Sequence, residues 1–304
     1  MMNDMDARTY QHNLESPVSE PPRRVVSLVP SMTESLFELN VGDRLIGITD
    51  YCVYPADKVV HVPRIGGTKN PNIPAIIALQ PDLVLANQEE NRKADIEALQ
   101  VAGIPVWLTF PQTMREAFSI LWNIMHIFDE PSKVEGVRVM EWTLDWIERM
   151  TENRDSFPRT FVPIWSDPYM TFNEDTYAHD VIRACGGINS FGERERLYPL
   201  AADLGVGEAL PSDDMRIEGR DTRYPRITLE EIIATQPEIV LLPSEPYAFT
   251  QAHADFFKTL DIPAAHHDRI HLVDGSLLFW HGTRMGQALA QLPSLFYPAD
   301  ENEA

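Results

Sequence analysis

Residues 76–85 read IIALQPDLVL and residues 232–241 read IIATQPEIVL, with seven of the ten positions identical. A decapeptide that recurs in the second half of a chain constrains it to two halves of related architecture. In both copies an Ile-Ile-Ala helix end meets Gln-Pro. Proline has no amide hydrogen and disfavours a helical residue before it, so the helix must stop there. An acidic residue, Asp82 or Glu238, then precedes an apolar run of strand length. The first copy continues through a polar loop and a helix to Ile104-Pro105-Val106-Trp107-Leu108. The second runs to Leu260-Asp261-Ile262-Pro263, with His271-Leu272-Val273-Asp274 as its later strand. Helices alternating with short apolar strands predict an α/β fold with parallel sheets. A chain of 304 residues is long enough for two such lobes.

Ordered structure is expected to begin at Val25. The run Val25-Val26-Ser27-Leu28-Val29 has strand length and ends at Pro30. Ser31-Met32-Thr33-Glu34 has the spacing of a capping box, in which the Glu34 carboxylate reaches back to the Ser31 amide. The helix it opens carries Leu36, Phe37 and Leu39 inward and stops near Asn40 and Gly42. From Pro131 to about Asn153, Val134, Val137, Met140, Leu144, Ile147 and Met150 recur at three- and four-residue intervals. A helix of ~20 residues is ~30 Å long, enough to bridge two lobes. The expected division is a flexible polar arm over 1–23, an N-terminal lobe over 24–129 and a connecting helix over 130–154. A C-terminal lobe over 155–298 and a tail over 299–304 complete it.

The formal charge is 25 minus 46, or −21. An acidic surface repels phosphate backbones and anionic headgroups, so nucleic acid and membrane surfaces are poor candidate partners. No run approaches the ~18–20 apolar residues of a membrane span. Residues 1–24 lack a basic start followed by an apolar run, so a cytoplasmic location is expected; a different start would be needed for a periplasmic or cell-surface one. Cys52 and Cys185 form no ligand-spaced metal site and read as free buried thiols, the alternative being a single bridge across the lobes. The sequence lacks Gly-x-Ser-x-Gly, GxxxxGK[ST], HExxH and Cys-x-x-Cys, which argues against an enzyme.

In open α/β sheets, ligands bind beyond the carboxyl ends of the strands. That rule selects Ser31 after the first strand, Tyr51 after the second, the Thr68-Lys69 turn, and Gln88 after the first repeat strand. In the second half it selects Trp165, Tyr169, Glu245, Trp280 and His281. Aromatic side chains dominate this set, and their faces suit a flat macrocycle or a large chelate. The His281 imidazole suits an axial position on cobalt or iron, or a hydrogen bond to a ligand carboxamide. His266, His267 and His271 lead into a strand and read as a solvated loop. Gly186-Gly187 reads as a turn at a helix C-terminus.

Several segments in order, RVVSLVPSMTESLFELNVGDRLIGITDYCVYP, QPDLVLA, AGIPVW and CGGINSF, resemble the periplasmic-binding-protein family that captures cobalamin, siderophores and haem. The resemblance runs from about Arg24 to Phe296. It implies two α/β lobes joined by one long rigid helix, with the ligand in the cleft between them and little closure on binding. It also implies a monomer without a built-in cofactor, whose ligand is a cobalt corrinoid or an iron chelate. Tyr51 matches the pocket tyrosine of the cobalamin-binding members. Exported members dock onto an ABC permease through one acidic residue on each lobe, but the matching places here hold Pro74 and Phe279. Three readings stay open. One is a corrinoid or metal-chelate receptor of an ABC-type uptake system. Another is a soluble intracellular cofactor-binding or sensing protein of the same fold. The third, motivated only by the histidines, is a metal-dependent enzyme.

Overall fold

The computed structural model describes residues 17–297 except 153, 155 and 212. Most of the arm expected over 1–23, and all of the tail expected over 299–304, lie outside the described residues. The chain divides into two compact units. One runs from the chain start to Trp142 and includes Trp280–Gly286. The other comprises Thr143–Phe279 and the chain from Gln287 onward.

The first unit alternates β1 (Val25–Ser27), α1 (Pro30–Glu38), β2 (Leu45–Ile48), α2 (Ile73–Leu79), β3 (Leu83–Asn87), α3 (Lys93–Val101), β4 (Val106–Thr109) and α4 (Met114–Ile127). Its strands form a parallel sheet in the order β2-β1-β3-β4. Every residue of β3 is buried, which is why this strand reads as a continuous apolar run rather than an alternating one. Val26, Val84 and Ala86 of the sheet pack with Ile76 of α2 and Ile96 and Leu99 of α3.

Helix α5 (Val134–Glu152) follows a 3-10 turn at Pro131–Lys133, with its residues to Trp142 in the first unit and those from Thr143 in the second. At 1.5 Å per residue its 19 residues span roughly 28 Å. Val137, Leu144 and Ile147 are buried on its inner side.

The second unit contains β5 (Arg159–Phe161), a hairpin of β6 (Trp165–Ser166) and β7 (Tyr169–Met170), α6 (Tyr177–Ala184), β8 (Ile188–Asn189), α7 (Leu229–Ala234), β9 (Ile239–Pro243), α8 (Gln251–Phe257) and β10 (Ile270–Val273). Its main sheet is parallel in the order β8-β5-β9-β10. The two sheets therefore share one topology: the first strand lies inside, the second outside it, then the repeat strand and its successor.

The decapeptide repeat has a shared atomic basis. Gln80 and Gln236 both adopt left-handed backbone, each with φ 46°, and turn the chain from helix into strand. Asp82 then accepts the Arg23 and Arg24 amides at 2.9 Å each, and Glu238 accepts the Arg159 amide at 2.9 Å. The arginines answer in kind. Arg24 donates to the Leu79 and Gln80 carbonyls, and Arg159 to those of Thr235 and Gln236. In each unit the acidic residue and the arginine lock the repeat strand beside the first strand, in the same register.

Two expectations are corrected. The Ser31–Glu34 capping box does not form. Helix α1 starts at Pro30 after Val29 with no side-chain cap, and Glu34 turns to Arg284 instead. A capping box does form at Thr228–Glu231, where one glutamate oxygen takes the Thr228 amide and the other pairs with Arg194. Trp280 and His281, expected in the C-terminal lobe, belong to the first unit, because residues 281–284 bond to α1 and β3.

Candidate ligand-binding site

In the first unit the loops beyond β1, β2 and β3 carry the side chains selected from sequence. The loop after β2 is held from beneath. Arg64 donates to the Thr49 and Cys52 carbonyls at 2.7 and 2.8 Å. The buried Cys52 thiol lies 3.1 Å from both the Thr33 and Thr49 hydroxyls. Burial, opposed by those hydrogen bonds, raises the Cys52 pKa and keeps it a thiol. This clamp presents Tyr51 outward, 63% exposed, with its ring edge against Gly67. A Cβ on Gly67 would stand 3.3 Å from Tyr51 Cε2, so the bare glycine lets the ring settle there.

Tyr54, three residues on and 42% exposed, meets Trp280 edge to face, with ring centroids 5.9 Å apart. The Arg284 guanidinium lies 4.6 Å from the Tyr54 centroid and 5.4 Å from that of Trp280, within cation–π range of both. Its two forks pair with Glu34 at 2.9 and 2.6 Å, and both side chains are 6% exposed. Beside them the Thr283 amide donates to Ser35 Oγ at 3.1 Å, and that hydroxyl donates to the Ser31 carbonyl at 2.7 Å. The approach requires Gly282, whose φ is +95° and whose Cβ would strike Ser35 Oγ. Residues 280–284 are thus fixed onto α1, and the Tyr54 and Trp280 rings are fixed with them.

His281 is buried. It is 5% exposed, and its Nε2 lies 3.3 Å from Asn87 Nδ2. Asn87 Oδ1 accepts the Glu89 amide, so the Asn87 amide group faces the histidine as a donor. Nε2 therefore accepts, which places the proton on Nδ1. Burial pushes the imidazole down to about 4, so it is neutral at ordinary pH. Through Nε2, His281 ties its segment to Asn87 of β3.

The polar candidates separate into two kinds. Lys69 donates to the Glu89 carbonyl and the Thr68 carbonyl accepts from Asn91, so both residues close the loop. Partial burial lowers Lys69, with Glu90 and Glu89 opposing that shift. By contrast, Ser31 Oγ and Gln88 Oε1 are buried without a hydrogen-bond partner among the described residues. Buried polar atoms are rarely left so, and these two are where a bound polar group would be satisfied.

In the second unit, Trp165 is 46% exposed on the β6–β7 hairpin and meets Tyr247 edge-on, with centroids 5.3 Å apart. Tyr247 in turn packs on Phe249 at 4.8 Å. Tyr169 leans on the buried Phe257 at 5.7 Å, and burial, followed by Tyr247 and Asp167, raises its phenol. Glu245 is half-buried and its backbone fits against Gly275. Tyr54, Arg284 and Tyr247 were not singled out from sequence. Tyr54 and Arg284 stand in segments already selected there, three residues from Tyr51 and from His281, but nothing local marks Arg284 as Glu34's partner.

Pro74 sits in the first turn of α2, and Phe279 meets the buried Phe172 edge-on at 6.2 Å. Cys52 and Cys185 are both free and buried. Among the described residues no group of three or more His, Cys, Asp or Glu side chains could hold a metal ion, and no helix is long and apolar enough to cross a membrane.

The model of the periplasmic binding protein family matches residues 25–270. The vitamin B12-binding protein of Vibrio parahaemolyticus serotype O3:K6 is 25% identical over 241 residues, covering 78% of this chain and 73% of the relative. The ABC transporter substrate-binding lipoprotein YvrC of Bacillus subtilis is 26% identical over 296 residues, covering 94% and 83%. Among solved structures, the periplasmic vitamin B12 binding protein BtuF of Vibrio cholerae shares the fold with a TM-score of 0.69 at 19% identity, covering 91% of this chain and 97% of that one. The periplasmic heme-binding protein RhuT of Roseiflexus sp. RS-1 does so with a TM-score of 0.67 at 20% identity, covering 90% and 98%. These findings overturn the cytoplasmic expectation. Periplasmic proteins and a lipoprotein point to an extracytoplasmic location, and a reading of the first residues alone carries no weight against relatives matched along most of the chain.

Proposed function

Because this chain belongs to the periplasmic binding protein family, we propose that it captures a cobalt corrinoid or a related metal chelate as the substrate-binding component of an ABC-type uptake system. The family consists of substrate-binding proteins of such systems and not of enzymes. The observation that carries the ligand reading is the set of aromatic rings in the first unit: the exposed Tyr51 and Tyr54 beyond β2, and the half-buried Trp280 packed against Tyr54. Rings held by Arg64, Arg284 and Glu34 lose little freedom when a flat guest stacks on them, which favours binding. Ser31 Oγ and Gln88 Oε1 supply hydrogen bonds to the guest's polar rim. The metal arrives inside the guest, and the protein contributes no resident cofactor. Pro74 and Phe279 offer no carboxylate, so permease contact in this reading draws on other acidic groups of a chain with net charge −21.

The test mixes the purified full chain separately with cyanocobalamin, cobinamide, hemin and a ferric siderophore, then desalts each sample. One of these is expected to co-elute with a shifted absorption spectrum; loss of all four on desalting refutes the proposal. Tyr51→Ala is expected to weaken the retained ligand by ~1–3 kcal/mol, the scale of one buried aromatic contact. An unchanged dissociation constant removes Tyr51 from the site.

A further inference from the structure

The second unit holds a cluster of cations that the ligand reading does not use. Between residues 194 and 226 stand Arg194, Arg196, Arg216, Arg220, Arg223 and Arg226, in a chain whose net charge is −21. The nearby carboxylates are already committed. Asp203, fully buried, accepts the Leu197 amide at 2.9 Å and the Arg226 amide at 2.7 Å, and pairs with Arg194 at 3.2 Å. Arg194 also pairs with Glu231 at 3.2 Å. Asp221 takes three bonds from Arg223, through its amide, Nε and Nη2. Asp214 holds the exposed Arg216.

Arg196, Arg220 and Arg226 make no direct ion pair among the described residues, although Asp221 lies within electrostatic reach of Arg196 and Asp203 within that of Arg226. Arg196 and Arg220 lie over the Tyr198 ring, 4.6 and 5.1 Å from its centroid, and the Tyr198 hydroxyl is anchored on the Asp221 carbonyl at 2.8 Å. Arg226 is bridged to Met170 of the β6–β7 hairpin. Arg196 Nε and Arg226 Nη1 are both shielded from solvent and have no hydrogen-bond partner among the described residues. An unmade hydrogen bond on a buried charged donor is costly, and two in one place mark where an acceptor belongs.

We propose that Arg196 and Arg226, with Arg220 at the rim, form a binding site for a carboxylate or phosphate-type oxyanion. Planar guanidinium forks suit such groups, whose paired oxygens accept from two donors at once. Local electrostatics agree with the geometry. Burial, then the positive charge of Arg196, lowers the Arg226 pKa, and the opposing pull of Asp203 and Tyr198 does not fully offset them. The inference goes beyond the ligand reading and does not depend on which chelate binds. The oxyanion has two sources, a free small anion or an acidic group carried by a chelate, and the experiment separates them.

Isothermal titration of the full chain with sodium phosphate and with sodium citrate, at ionic strength fixed with sodium chloride, reads the free anion. Titration with hemin, which carries carboxylates, against the carboxylate-free cobinamide reads the chelate-borne group. Arg196→Met and Arg226→Met are each expected to weaken the oxyanion or the hemin by about tenfold or more, the scale of a lost charge-assisted fork. Arg216→Met, whose guanidinium is already committed to Asp214, is expected to change nothing. Melting without added anion separates this role from a structural one. Relief of the opposed charges leaves the Arg226→Met melting temperature unchanged or raised, whereas a scaffold role lowers it. Arg226→Lys keeps the charge but loses the fork, and is expected to bind the anion less tightly than the unaltered chain. The proposal is overturned if neither phosphate, citrate nor hemin distinguishes the variants from the unaltered chain, or if sodium chloride alone reproduces the response.

Discussion

Replacing Glu34 with glutamine is the sharpest perturbation of the aromatic platform. The substitution keeps shape but removes the charge facing Arg284 and turns one of its two acceptors into a donor, leaving a guanidinium that is 6% exposed and sits under two rings. Breaking one side of a buried pair costs ~3–5 kcal/mol, because the other charge stays desolvated and unpaired. Tyr54 is 42% exposed, so a small shift of its ring lets water reach the cation. That places the expected loss near the lower end, about 3 kcal/mol, a large share of the ~5–15 kcal/mol typical of a folded domain. Denaturant unfolding followed by tryptophan fluorescence measures it, since Trp280 stacks on the affected group. The double variant Glu34→Met with Arg284→Met removes both desolvation penalties and is expected to return within about 1–2 kcal/mol of the unaltered protein. A single-variant loss below about 1 kcal/mol, or a double variant no better than the sum of the singles, refutes the reasoning.

Acid sensitivity provides a second prediction. Because the His281 pKa falls to about 4 on folding, below its unfolded value near 6.5, stability is full above pH ~6.5 and declines as pH drops toward 4. The decline reaches roughly 3 kcal/mol at most, and unfolding free energies of His281→Gln across that window are expected to lack it; parallel pH profiles for the two proteins contradict the assignment. The repeat provides a third. Gln80→Gly relieves a left-handed backbone and is expected to be neutral or stabilising by up to ~1 kcal/mol. Gln236→Gly also loses the Gln236 Nε2 bonds to the Ile233 and Asp261 carbonyls, and is expected to lose ~1–2 kcal/mol. Thermal melts that rank the two the other way count against this reading.

The parts of the fold legible in the sequence are those set by local backbone rules. Gln-Pro ends a helix wherever it stands, so the two decapeptides announced two sheets of one topology, and the apolar spacing of Val137, Leu144 and Ile147 announced α5. Loops beyond strand ends were legible for the same reason, and Tyr51, Ser31 and Gln88 stand in them. What failed was what depends on a partner far along the chain. Ser31-Met32-Thr33-Glu34 has the spacing of a capping box, yet Arg284, 250 residues away, takes the carboxylate. Asp82 and Glu238 were visible as acidic residues before strands, but their grip on the Arg24 and Arg159 segments shows only once the strands lie side by side. His281 offered the chemistry of a ligand, and its bond to Asn87 shows only in the folded chain.

The same long-range contact explains why a buried ion pair stands at this site at all. An apolar pair of similar volume would hold residues 280–284 on α1 about as firmly, since desolvation cancels much of the attraction between charges. A bidentate pair adds direction. Glu34 fixes the plane of the Arg284 guanidinium, and that plane sets how Tyr54 and Trp280 lie against it. Stability and placement should therefore separate in the Met–Met variant. Its unfolding free energy recovers, while its affinity for the retained ligand stays about tenfold or more below that of the unaltered protein, in line with one lost aromatic contact. Recovery of both together would mean that the pair merely fills space, and that the rings find their places without it.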